Sequence, residues 1–325
     1  MKKSATGFRP LDGVTRGVFL KGAAACGAAA ACGTAMADGA AEAPDPRDEF
    51  QREIDVITPG VWSDYYKRGT DIPSDEVAAM RAKYAALGRY EDAFEKVLAE
   101  VKSTEVTGRP AVWFVYNMGF IVKTPKSLFA IDLHHRRAEE LAPMLDFALI
   151  THNHGDHYTD RFYNAMNGVE KKTVVSNFKD NYGAFFGKKH KGGYTRAVKT
   201  FKFDDVSVRT SYVDHNGYLV DFTTAFEITV GDFTIFHSGD CSSVGKLKCE
   251  CPNPDLWMFH PYCGLDAVKG AEALKPKLAV VAHLNELGHA KDRWRWTWSD
   301  GARARKNLEA AGFAATVPLW GDRIV

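Results

Sequence analysis

Phe147-Ala148-Leu149-Ile150-Thr151-His152-Asn153-His154-Gly155-Asp156-His157 joins a short apolar run to a cluster of potential metal ligands. The run Phe147 to Thr151 reads as a buried strand, and the glycine and aspartate that follow mark the turn at its end. A strand end holds its loop at a fixed place and leaves the side chains free to converge on one point. Neutral imidazoles and carboxylates are good ligands for borderline ions such as zinc. The plainer alternative is a histidine-rich surface turn. It gives no reason for the cluster to follow a buried strand directly.

The H-x-H-x-D-H spacing after a hydrophobic strand resembles the signature of the metallo-β-lactamase superfamily. Members of that superfamily carry one or two metals on an αββα sandwich. Its further landmarks occur downstream in the same order. Tyr212-Val213-Asp214-His215-Asn216-Gly217 supplies a lone histidine, and Phe233-Thr234-Ile235-Phe236-His237-Ser238-Gly239-Asp240 supplies an aspartate after a strand. Lys275-Pro276-Lys277-Leu278-Ala279-Val280-Val281-Ala282-His283 ends a further strand in histidine. The resemblance covers residues 111 to 290. It implies an α/β fold, a four-layer αββα sandwich, here with an N-terminal helical extension.

The same resemblance implies roles. His152, His154 and His215 would hold one divalent ion, Asp156, His157 and His283 a second, and Asp240 would bridge them. Two such ions about 3.5 to 4 Å apart share a hydroxide and need a carboxylate to balance their charge. Zinc is the expected metal, and manganese or iron fits the same ligands. His283 competes with His289 for the last ligand position. The strand end is the more rigid place, which leaves His289, with Asp156, as a candidate for proton transfer. Asp132, ending the strand Leu128 to Ile131, is expected to orient a ligating imidazole. His134 and His135 follow in an Arg-rich loop and read as solvated, and His237 reads as a structural histidine within its strand.

Some residues narrow the class. Position 154 carries histidine where the flavodiiron reductases carry glutamate, which disfavours redox chemistry. Asp240 stands where many zinc β-lactamases use cysteine, although the adjacent Cys241 keeps a β-lactam hydrolase open. The stretch from Tyr116-Asn117-Met118-Gly119-Phe120 to Asp132 resembles lactonases of the ascorbate-phosphate type. The expectation is therefore a hydrolase of an ester, lactone or phosphodiester acting on a small molecule. A non-catalytic metal or ligand carrier of the same fold is the rival. Arg293-Trp294-Arg295-Trp296-Thr297-Trp298 alternates so that three indoles could share one face and an arginine could clamp a substrate anion. Packing under the closing helix is the equal alternative.

Composition sets the frame. With 45% hydrophobic and 26% charged residues, the 325-residue chain can build a large core, and disorder is not the default. No run of eighteen apolar residues occurs, so no transmembrane span is expected. Residues 1 to 37 pair a basic segment with an Ala/Gly-rich one ending in Ala35-Met36-Ala37, and read as an export signal. Thr15-Arg16-Gly17-Val18-Phe19-Leu20-Lys21 resembles the twin-arginine motif, with Gly17 where the second arginine belongs. A periplasmic location follows as the expectation, by that or the general secretory route, with Cys32 as a lipid-attachment candidate. Without residues 1 to 37, Lys plus Arg falls from 42 to 37 and Asp plus Glu from 41 to 40, turning +1 into −3. No nucleic-acid partner is expected at that charge, and Lys188-Lys189-His190-Lys191 reads as a solvated loop. Oligomeric state is not encoded in any pattern we find.

Export permits disulfides among Cys241, Cys249, Cys251 and Cys263. Residues 38 to 60 read as a tether, completing a 38 to 110 extension with helices near 75 to 104. Residues 111 to 325 read as the catalytic domain. Strands are expected at Ala111 to Tyr116, Phe120 to Lys123, Leu128 to Asp132, Thr173 to Ser176, Leu256 to Phe259, Leu278 to Ala282 and Ala315 to Leu319. Helices are expected at Asp160 to Gly168, Leu265 to Leu274 and Ala302 to Ala311.

Overall fold

Four helices lead into two sheets. The computed structural model describes residues 45–67, 74–168, 172–178, 189–190, 193–194, 198–217 and 219–325. The expected export signal, Cys32, the first part of the tether, and Lys188 and Lys191 of the basic run lie outside them. The helices are α1 (Pro46–Asp55), α2 (Pro59–Lys67), α3 (Ser74–Lys83) and α4 (Ala85–Ser103). The first sheet follows with β1 (Ala111–Tyr116), β2 (Gly119–Lys123), β3 (Leu128–Ile131), β4 (Phe147–Leu149), α5 (Asp160–Gly168) and β5 (Thr173–Val175). A small ribbon of β6 (Lys189–His190) and β7 (Gly193–Tyr194) precedes β8 (Thr200–Phe203), β9 (Val206–His215), β10 (Leu219–Val230) and β11 (Phe233–His237). Then come β12 (Leu256–Phe259), α6 (Ala267–Leu274), β13 (Leu278–Val281), α7 (Trp298–Ala310) and β14 (Ala315–Thr316).

Strands β1 to β5 lie in sequence order in one sheet, and β8 to β14 lie in sequence order in the other. Each sheet begins as antiparallel meanders and ends in parallel strands joined through helices. The facing sheets are stitched by aromatic contacts. Phe147 stacks on Phe203 at 3.8 Å between ring centroids, and Phe120 meets His237 at 5.7 Å. Strands β1, β3, β4, β11 and β12 are buried at every position because a second layer covers each face. Helix α4 packs on β1, α5 on β5, and α7 on β13 and β14. This is the four-layer αββα sandwich that the sequence implies.

Two departures are informative. The segment read as a tether is helical from Pro46, with Asp45 accepting the Arg47 N–H at its cap. Phe50 and Ile54, four apart, share the one buried face of a charged helix, so the average composition concealed it. Helix α7 begins at Trp298 rather than Ala302. Thr297 and Asp300 form a reciprocal capping box there. The final strand is only two residues long, and the chain then crosses to the first sheet. The Gly321 N–H donates to Phe114 O (2.9 Å), Phe114 N–H to Asp322 O (2.9 Å) and Ile324 N–H to Val112 O (2.7 Å). Residues 321–325 thereby cover the free edge of β1.

Candidate metal centre

Parallel strands deliver their carboxyl-terminal ends to one mouth of the sandwich, and loops leaving such ends are where α/β sheets gather functional groups. Asp132 follows β3, His152 to His157 follow β4, Asp240 follows β11, His260 follows β12 and His283 follows β13. Only His215, at the end of β9, arrives from an antiparallel pair. Two of these strand-end residues, Asp132 (φ 42°) and His283 (φ 59°), sit in the left-handed backbone region. Side chains with a Cβ pay about 1–3 kcal/mol for that conformation, which persists when the surrounding structure over-determines it.

The predicted ligands converge. Ligating atoms of His152, His154 and His215 lie within 4.8 Å of one another, as do those of Asp156, His157 and His283. Asp240 stands between the two groups. Its Oδ2 is 3.4 Å from His215 Nε2 and 4.0 Å from His152 Nε2, and its Oδ1 is 3.4 Å from His157 Nε2. His283 Nε2 lies 3.0 Å from Asp156 Oδ2 and 3.5 Å from Asp240 Oδ2.

Orphaned atoms test whether these residues fit a metal. Nε2 of His152, His157 and His215, together with Asp240 Oδ1, are buried without a hydrogen-bond partner. Leaving a buried polar atom unpaired costs about 1–3 kcal/mol, so native interiors rarely tolerate several at one point. Lone pairs aimed from three rings and a carboxylate into one space are satisfied by cations. The donor set of imidazole nitrogens and carboxylate oxygens suits zinc and its first-row neighbours.

Asp132 sets two of the imidazoles. Its Oδ1 accepts the Thr151 backbone N–H (2.7 Å), and its Oδ2 accepts both the Thr151 hydroxyl (2.6 Å) and His157 Nδ1–H (2.8 Å). Because the Thr151 hydroxyl proton is committed to Asp132, its oxygen accepts from His152 Nδ1–H at 2.9 Å. Both rings therefore carry their proton away from the centre and present Nε2 to it. On the opposite side Asn117 accepts the His283 N–H (2.8 Å) and donates Nδ2 to the Asp156 carbonyl (3.0 Å).

Electrostatics follow the same division. Burial pushes His152 well below its ordinary range, and the neighbouring His157 adds to the shift. Burial also opposes protonation of His157, but Asp240, Asp156 and Asp132 together raise it well above the usual value. For Asp240 burial favours the neutral acid, and His283 and His157 overcome it to hold the carboxyl well below its normal range. The protons on His157 and His283 are those that a bound cation displaces.

Above the cage opens a cavity of ≈ 370 Å³ whose lining includes His154, Asp156, His215, Asp240, His283 and His289. His289 is thus a cavity residue, with Nε2 4.0 Å from Asp156 Oδ2. Trp294 and Trp296 also line it, and Trp296 stacks on Tyr262. The third indole does not join them. Trp298 is buried against Phe50 and Trp320, and the positive φ of Trp294 breaks the expected alternation.

Several expectations are corrected. Arg295 is no substrate clamp. It is buried and donates to the backbone carbonyls of Ile54, Ile57, Glu286 and Leu287, fastening the end of α1 to the loop after β13. His134 and His135 are buried, not solvated. His134 stacks on Tyr66, and His135 stacks on Phe94 and Tyr90, so aromatic rings from the N-terminal helices cover them. His237 is structural as expected, facing the Met118 carbonyl at 3.3 Å. The thiols of Cys241, Cys249, Cys251 and Cys263 are unpaired.

Two site residues escaped the sequence reading: Cys263, whose Sγ lies within 4.8 Å of ligating atoms of His215 and Asp240, and His260. His260 is buried, lacks partners on both ring nitrogens, and brings Nδ1 to 3.6 Å from Asp240 Oδ1. Burial pushes its pKa down to about 4. Its ring lies over His283 at 3.9 Å with 6° between the planes. An imidazole lone pair lies in the plane of its ring, so two rings stacked in this way cannot both point at one ion. His260 therefore backs His283 rather than aiming at the same point. Its place after the apolar run Leu256 to Phe259 was the available signal.

No protein-family model matches the chain. A UPF0173 metal-dependent hydrolase of Methanosarcina mazei is 26% identical over 178 residues, covering 51% of this chain and 74% of the relative. One from Pelotomaculum thermopropionicum is 27% identical over 228 residues, covering 62% and 92%. Among solved structures, Igni18, a metallo hydrolase of Ignicoccus hospitalis, aligns at 16% identity and a TM-score of 0.49, over 66% of this chain and 98% of that one. The ordered ligand landmarks and their convergence at one mouth of an αββα sandwich resemble the metallo-β-lactamase superfamily, and the curated relatives that the chain is similar to are metal-dependent hydrolases.

Proposed function

We propose that the protein is a metal-dependent hydrolase that cleaves an ester or lactone in a small organic molecule. The observation that carries this reading is the set of orphaned Nε2 and Oδ1 atoms, with His215 and Asp240 of that set also lining an open cavity. A carrier that only sequesters a metal has no use for such a cavity. The relatives' description as metal-dependent hydrolases supports the same reading. A carbonyl substrate is favoured over a phosphodiester because no lysine or arginine lines the cavity among the described residues.

His152, His154 and His215 would hold one ion, Asp156, His157 and His283 a second, with Asp240 between them and zinc the favoured metal. When bound, such a pair supplies Lewis acidity and lowers the pKa of water toward about 7, giving a nucleophile at neutral pH. The chain's own residues do the rest. Asp132 and Thr151 hold two imidazoles in the ligating tautomer, Asn117 ties the Asp156 and His283 loops together, and Trp294 and Trp296 wall the substrate. His289, at the rim, is positioned to hand a proton to the departing oxygen. Export to the periplasm, read from residues 1 to 37, is part of this proposal.

Turnover of p-nitrophenyl esters and of simple lactones tests it. Activity lost to a chelator and restored by zinc, manganese or iron is the expected result. Tight metal binding with no turnover on any ester, lactone or phosphodiester would overturn the reading in favour of a carrier.

A further inference from the structure

A second cavity of ≈ 330 Å³ meets the first at Gly155, Asp156 and His289. Its far wall is not part of the sandwich. Trp62, Ser63 and Tyr66 of α2 form it, with His134, Glu286 and Gly288 opposite. The rings here are held firmly. Trp62 packs on Tyr66 (5.2 Å), Tyr90 (5.0 Å) and Tyr116 (5.6 Å), and Tyr66 stacks on His134 at 4.4 Å. A Cβ on Gly288 would stand 3.0 Å from Trp62 Cδ1 and 3.1 Å from the Glu286 carboxylate oxygens, so a larger residue would crowd the indole and the acid.

Glu286 is the unusual group. It is 2% exposed, and its oxygens accept the Tyr116 hydroxyl (3.1 Å) and the His289 backbone N–H (2.6 Å). Among the described residues no lysine or arginine comes within 4.0 Å of it. The nearest basic side-chain nitrogen, His289 Nδ1 at 3.6 Å, lies beyond hydrogen-bond reach. Arg295, nearby, uses its donors on four backbone carbonyls. A buried carboxylate without an ion-pair partner is costly, and Trp62 and Tyr66 line the same cavity with aromatic rings that can attract a positive charge.

We propose that this cavity is a subsite for an ammonium group, so that the substrate is an ester carrying a cationic amine arm. The inference rests on the hydrolase reading for its scissile bond, while recognition of the amine stands on Glu286, Trp62 and Tyr66 alone. An anionic arm would meet Glu286 and Asp156 with no compensating cation. A neutral apolar arm would seal the Glu286 charge from water and leave it unpaired. The N-terminal helices then contribute half of the binding site, and the bond to be cleaved lies where the two cavities meet.

Choline alone, titrated calorimetrically into the metal-loaded protein, and a matched ester pair test this. Butyrylcholine and its uncharged isostere 3,3-dimethylbutyl butyrate differ only in charge. Wild-type protein should bind choline and favour the choline ester in kcat/KM by about thirtyfold, the scale of a desolvated cation–π contact. In Glu286→Gln choline binding should be lost and the ratio should fall to about one. Ser63→Trp, at a half-buried helix position outside the core, fills the cavity and should abolish choline binding without touching Glu286. Equal kcat/KM for the two esters in wild type, no choline binding by wild type, or choline binding that survives either substitution overturns the subsite. If choline binds but no ester, these two or the p-nitrophenyl esters and lactones above, is cleaved, the hydrolase reading falls and the subsite stands.

Discussion

Asp132 governs the centre without touching a metal position. Through Thr151 and His157 it fixes the tautomers of two imidazoles. Asp132→Asn keeps the shape but can no longer accept on every side. Metal affinity should fall by about 10- to 100-fold, as outer partners of ligating histidines typically require, and competition with a chromophoric chelator would measure it. Gly239 makes a different demand. It has φ 52°, and a Cβ there would come within 2.7 Å of the Thr223 methyl and 3.1 Å of Thr151. Gly239→Ala should cost about 3 kcal/mol in urea unfolding and displace the adjacent Asp240, lowering metal content as well. At this scale the convergence of the candidate ligands was legible because spacing after apolar strands encodes it. His134, His135 and Arg295 were misread because their environment comes from helices remote in sequence. Only the assembled fold shows that an Arg-rich or Trp-rich stretch is buried beneath them.

At the scale of elements, Arg295 joins the N-terminal helices to the loop after β13. Its guanidinium is buried, and its backbone acceptors belong to the end of α1 and to residues 286–287. Arg295→Ala should destabilise the fold by about 3 kcal/mol, since buried carbonyls lose a charged donor. Its KM for anionic and neutral esters should shift alike; a selective rise for anionic ones would restore the clamp rejected above. The strands were readable nearly to the residue wherever burial is continuous, as in β1, β4 and β12. Helix α1 was not, because only Phe50 and Ile54 mark its inner face. The start of α7 was written in Thr297 and Asp300, a signal overlooked beside the more conspicuous tryptophans.

For the whole molecule, acid should weaken the fold through histidines buried as neutral rings. Burial lowers His134 to about 4, and it lowers His135 well below its ordinary value with Arg136 and Arg137 adding to the effect. A depressed histidine contributes stability above the unfolded value near 6.5 and loses it as pH falls toward the folded value. Each unit below about 6.5 therefore costs about 1.4 kcal/mol per such ring. His135→Phe, which preserves the stack on Phe94, should flatten the fall in urea midpoint between pH 7 and pH 5. An unchanged slope would show that this ring is not the source.

The sandwich closes on itself through residues 321–325, which pair with β1 at Val112 and Phe114. An unguarded strand border invites pairing with a neighbouring chain. A nascent protein emerging from the ribosome exposes that border from the moment β1 appears until residues 321–325 arrive. Any fusion attached after Val325 is therefore tethered to a laddered seam, where a bulky partner competes with closure of the first sheet.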